Sequence, residues 1–228
     1  MGNMPKRSDT VSEGSVGTTL ASTHRVMRMM GNTLVMAECY FDFNLDVIPN
    51  GPKGKQAEVI TRMKYWLDNM LENCIIVPMN RTGGVEWMQE LDNLMMFAPS
   101  DPNDFLIQVM VHAKLQAIGA GLVNIASSHM TSDISNGFGI WFQGDPDELL
   151  PLQKDWMGER VYFELPWWHR GDAGMMDVPV GPEDDVRNKP DIIVDWHLLM
   201  EMPTVPDTEA KTAEIIRPSF KPRIVSDD

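Results

Sequence analysis

Residues 39–47 alternate without a fault. Cys39, Phe41, Phe43, Leu45 and Val47 fall on one side of an extended chain; Tyr40, Asp42, Asn44 and Asp46 fall on the other. Successive side chains of a strand point to opposite faces, so this strand has an apolar face to bury and an acidic face to solvate. The chain is thereby restricted to folds in which a sheet is covered on one side. Pro49-Asn50-Gly51-Pro52 then ends the strand.

Two amphipathic or apolar segments are of helical length. Over residues 55–73, Val59, Ile60, Met63, Trp66, Leu67, Met70 and Leu71 form one stripe at helical spacing, with Lys55, Glu58, Arg62, Lys64 and Asp68 off it. Residues 105–118 are apolar on nearly every side, which predicts a deeply buried helix; Ser100 or Asp101 is the expected cap, with Pro102 in the first turn. Residues 74–77, 122–126 and 138–142 read as strands, and residues 85–97 fit a helix or a mixed segment. The expected fold class is α+β, a mostly antiparallel sheet with two main helices on one face in a ferredoxin-like order.

The last third reads differently. Val161, Phe163, Leu165 and Trp167 alternate with Tyr162, Glu164 and Trp168; Val194, Trp196, Leu198 and Met200 alternate with Asp195, His197 and Glu201. This predicts a β-hairpin across a long 169–190 loop, a length usual for contact-making loops. The expected organisation is a polar arm over 1–31, an α+β core over 32–144, a hairpin extension over 145–202 and an extended arm over 203–228. The arms carry too little apolar surface to fold alone.

Charge narrows the choice of partner. The formal net charge is −14 over 228 residues, and an acidic body repels phosphate, so direct nucleic-acid binding is not expected. Lys6, Arg7, Arg25 and Arg28 make the first segment weakly basic, suited to an acidic partner such as another copy. No stretch approaches the ~18 apolar residues of a membrane helix, and residues 1–19 lack the apolar core of a secretory leader. The expected location is the cytoplasm, or a particle assembled there.

No catalytic signature stands out. The histidines His24, His112, His129, His169 and His197 lack zinc-type spacings, and Cys39 and Cys74 sit in strand-like apolar runs as buried thiols. Asp42-x-Asn44-x-Asp46 imitates a calcium loop but continues with Val47 and Lys53 where Gly and Glu are needed. No metal or cofactor is expected. The polar group Glu164, Asp195, His197 and Glu201 would share one face of the hairpin, where a carboxylate beside an imidazole suits acid–base work. Trp168, on that same face with Tyr162 and next to Arg170, has the composition of an interface hot spot; Arg7 and Arg25 are further interface candidates. The expected function is a non-enzymatic assembly subunit contacting copies of itself or other subunits through its arms, with viral or phage tails, connectors or shells as the setting. The alternatives are a small-molecule enzyme or binding protein using Glu164, Asp195 and His197, and an acidic regulator mimicking nucleic acid.

Overall fold

The computed structural model describes residues 16–49, 51–52, 54–79, 94–157, 163–177 and 194–200. Six strands, β1 (Val16–Met30), β2 (Thr33–Val47), β3 (Ile75–Pro78), β4 (Met95–Ala98), β5 (Val123–Ser132) and β6 (Ile140–Phe142), form one sheet in the order β4-β3-β1-β2-β5-β6. The pairs β1–β2, β2–β5 and β5–β6 are antiparallel; β1–β3 and β3–β4 are parallel. Helix α1 (Lys55–Tyr65) continues into a π-helical turn (Trp66–Leu71), and α2 (Asp104–Gly119) follows β4.

The α+β class is as expected, but the order is not ferredoxin-like. Two strands precede the first helix, because residues 16–30, expected within an arm, form a strand that pairs with β2 along its whole length. Gly31, at φ +61°, closes the two-residue turn between them, a conformation glycine adopts without a steric penalty. The inward positions of β1 include Ser22, His24 and Arg28 as well as Leu20 and Val26. Polar residues at three inward positions hid the alternation.

On β2 the predicted alternation is realised. Cys39, Phe41, Phe43 and Leu45 are buried under α1 and α2, with Val59, Met63, Trp66 and Leu67 from the first helix and Ile107, Val111, Leu115 and Ile118 from the second. Phe41 and Phe43 stack at 5.8 Å. The short strands β3 and β4 are buried on both faces, as parallel strands usually are; their second face meets Trp156 and Met176. Residues 95–97 are therefore strand; 80–93 lie outside the described residues. Asn103, not Ser100 or Asp101, caps α2: its side chain accepts from Leu106 N at 2.9 Å.

The expected C-terminal hairpin does not form over the described residues. Pro166 leads into a 3₁₀ turn (Trp167–His169), and Asp195 caps a helical turn (Trp196–Leu199) by accepting from His197 N at 3.0 Å. Proline supplies no strand N–H and the aspartate cap favours a helical start, so local chemistry overrode the period-two pattern. Residues 1–15, 178–193 and 201–228, including most of the 169–190 loop and both expected arm ends, lie outside the described residues.

One buried ion pair ties four elements together. Arg28 on β1 donates to Asp104 at the start of α2 and, from Nη2, to Cys39 Sγ at 3.2 Å; Ser132 Oγ on β5 donates to Asp104 at 2.8 Å. Breaking a buried pair strands a charge, whereas removing both partners does not. Asp104→Ala is expected to cost about 3–5 kcal/mol in urea unfolding. Arg28→Met combined with Asp104→Ala is expected to cost less than Asp104→Ala alone.

Candidate functional site

The face of β2 turned away from the helices is open, and its neighbours complete it. Register places Ala21, Asp42, His129 and Trp141 in one row across β1, β2, β5 and β6, and Thr23, Tyr40 and Thr131 in the next. A β-bulge near Ala126 sets this arrangement: Leu45 pairs with Ile125 but Asn44 with Ser127. Before the bulge the odd residues of β5 point inward; after it Ser128, Met130 and Ser132 do, which leaves His129 and Thr131 outward. The expected strand over 122–126 thus runs on to Ser132, through residues whose polarity suggested a loop.

Contacts on this face are specific. His129 Nδ1 lies 3.7 Å from Asp42 Oδ2, and its ring is tilted on Trp141 at 5.8 Å. A Cβ at Gly139 would collide with His129 Nε2, so glycine is what lets the ring settle there. Asn44 Nδ2 donates to Ser127 Oγ at 2.8 Å. Tyr40 donates to Glu38 Oε2 at 2.7 Å, and that bond raises its pKa. Trp141 is 60% exposed, Phe138 in the preceding loop 77% and Tyr40 42%. Asp42, Asn44 and Asp46 lie along this strand as a solvated face. Among the described residues, no three His, Cys, Asp or Glu side chains converge as a metal site needs.

The interface residues expected in the last third are placed otherwise. Trp168 is fully buried, stacked on Trp156 at 5.4 Å and edge-on to Trp167. In a 3₁₀ turn adjacent side chains diverge by a third of a circle rather than a half, so both tryptophans reach the core. Arg170 is also buried: it donates to Asp177 Oδ1 at 2.6 Å and Met176 O at 3.0 Å, and its guanidinium lies over Phe163. Arg25 is exposed and paired with Glu72 at 3.2 Å. Tyr162 and Arg7 lie outside the described residues.

Of the polar group, Glu164 lies apart, while Asp195 and His197 share one helical turn. Glu164 lines a cleft of about 530 Å³ with Asp147, Leu152, Pro166 and His169; His169 Nε2 is 3.3 Å from Asp147. Asp195 is occupied as a cap. His197 acts on Glu58 of α1, whose carboxyl is held low first by the Lys55 hydrogen bond and then by Arg62, Lys55 and His197. Glu201 lies outside the described residues. A second cleft, of about 440 Å³, is lined by His24, Arg25, Glu38, Asp68 and Glu72.

The residue that sequence reasoning missed is Lys114. Fully buried on α2, its Nζ donates to Trp167 O at 3.0 Å, Arg170 O at 2.9 Å and Gly174 O at 2.8 Å. Three ammonium protons meet three carbonyls, which clamps the 167–174 backbone to the helix. Burial pushes the amine down to about 7, against the pull of Asp172 and Asp177. The signal was a lone lysine in a helix that reads as deeply buried. Gln108 and His112 on that helix share Ser128: Gln108 donates to its carbonyl at 2.7 Å, and its Oγ is 2.9 Å from His112 Nδ1.

No protein-family model matches the chain, and no curated protein matches it.

Lys114→Met is expected to leave the buried carbonyls of Arg170 and Gly174 unpaired and Trp167 O with only the Arg170 N–H, to cost about 2–4 kcal/mol, and to expose the amides of residues 167–177 to hydrogen exchange. A pH effect follows from His112, which burial holds at about 4 against an ordinary 6.5. Between these values the unfolded chain binds the proton and the folded chain does not. The stability tied to this group is therefore complete above pH 6.5 and lost as pH falls through 4, by about 3 kcal/mol. His112→Gln is expected to flatten that part of the stability–pH curve.

Proposed function

We propose that the chain is a non-enzymatic structural subunit of a multi-protein assembly, and that it meets its neighbours through the open end of the sheet. A viral or phage particle assembled in the cytoplasm is the proposed setting, and copies of the chain or other subunits are the proposed partners. The observation that carries this reading is the unequal covering of the sheet. Helices α1 and α2 bury one face, while Tyr40 and Trp141 stand exposed on the other with Phe138 beside β6. Exposed aromatic side chains on a rigid sheet are the usual anchors of protein interfaces. Residues 1–15 and 203–228 keep their proposed role as arms that reach neighbouring subunits.

Trp141→Glu and Phe138→Glu test the reading. Both side chains are exposed, so thermal unfolding of the variants is expected to stay within about 1 kcal/mol of the parent chain. Sedimentation velocity is expected to show concentration-dependent assembly of the parent chain, weakened at least about tenfold by either substitution, as for a hot-spot residue. A parent chain that neither self-associates nor cross-links to any other protein of its source would overturn it.

A further inference from the structure

Among the described residues, one flank of β1 carries unpaired backbone. Arg25 N donates to Glu72, Arg25 O accepts from Asn73 N at 2.7 Å, and Met27 N donates to Cys74 O at 2.9 Å. Odd-numbered residues of β1 therefore turn their N–H and C=O towards β3, while even-numbered ones turn to β2. β3 pairs with β1 only at Met27 and Arg28. Among the described residues, the backbone groups of Gly17, Thr19, Ala21 and Thr23 on that flank pair with nothing. These four residues are exposed, the β1–β2 register runs without a bulge, and residues 16–23 contain no charge and no proline. Proteins normally protect such an edge with lysine, proline, a bulge or a covering segment.

We propose that this edge pairs antiparallel with the same edge of a second copy about a two-fold axis, joining two sheets into one. This deepens the assembly reading, on which it rests, by naming the partner. One register pairs every free N–H and C=O of both copies: Gly17 opposite Thr23, Thr19 opposite Ala21, and Leu20 opposite Leu20 at the axis. Three observations favour a second copy. Ser22 Oγ is buried without a hydrogen-bond partner, and this register sets it opposite the exposed Thr18 hydroxyl of the other copy, a pairing that stabilises sheets. The strip is uncharged in a chain of net charge −14, so two copies meet where their repulsion is least. Arg25, exposed at one end of the strip, is brought towards the row of Gly17 and Asp46 in the other copy, where glycine leaves the carboxylate uncovered.

The test uses the full chain in sedimentation equilibrium up to about 100 µM, a range that captures weak, small interfaces. A dimer is expected. Thr19→Pro removes an edge N–H and is expected to raise its dissociation constant at least about tenfold. Should that variant melt early, Ala21→Lys, which places like charges near the axis, is expected to weaken the dimer at low salt and to recover at high salt. The double variant Thr18→Cys, Ser22→Cys is expected to form an inter-chain disulfide on oxidation, since the two positions on one strand are too far apart to join. A parent chain that remains monomeric, or a dimer indifferent to both edge substitutions, overturns the proposal. Association lost with Trp141→Glu but kept in the edge variants would sink this pairing while leaving the assembly reading intact.

Discussion

The structure depends on the burial of a single face of the β1–β2–β5 sheet. Phe41, Phe43 and Leu45 present one continuous apolar surface, and α2 supplies the matching one through Ile107, Val111, Leu115 and Ile118. The 3.6-residue helix and the two-residue strand meet only if β2 keeps its register. A slip by one residue would turn Asp42 and Asp46 into the core. The 15-residue pairing with β1 fixes that register on one side, and the bulged pairing with β5 fixes it on the other.

The remainder of the described chain adds polar stitching to the apolar side chains it sends into this body. Lys114, Asp177 and Trp167 Nε1 bond to backbone or side-chain groups of the 163–177 segment and of β4. The segment sends Trp167, Trp168, Ala173 and Met175 into the core, and the main chain that goes in with them would be costly to bury without these partners. A cation that donates to three carbonyls and a buried carboxylate matched to Arg170 satisfy groups that water cannot reach. Burial raises the Asp177 pKa, and the Arg170 charge pulls it back.

The parts of the fold that were legible in the sequence share one property: their periodicity was carried by apolar residues. β2, α1 and α2 fall in that class. β1 was missed because Ser22, His24 and Arg28 occupy inward positions; His24 and Arg28 find their partners on other elements rather than among chain neighbours. The second half of β5 was missed because the bulge reverses its phase. Trp168 was assigned to the surface by strand geometry, whereas the turn after Pro166 directs it inward. Of the candidate surface, Trp141 and Tyr40 were legible as strand residues. Their exposure together depended on which strands became neighbours.

The sequence alone determined that a sheet with one acidic face would be covered by two helices, because alternation and helical spacing are local properties of residue order. It also determined a net negative charge, because charge is a sum over composition. Tertiary structure decided the strand order, the edge of β1 left unpaired among the described residues, the clamp at Lys114 and the row of Asp42, His129 and Trp141. Each of these joins residues far apart in the chain. Their meeting depends on which backbone groups and buried polar atoms find partners across the fold, a choice that no local pattern encodes.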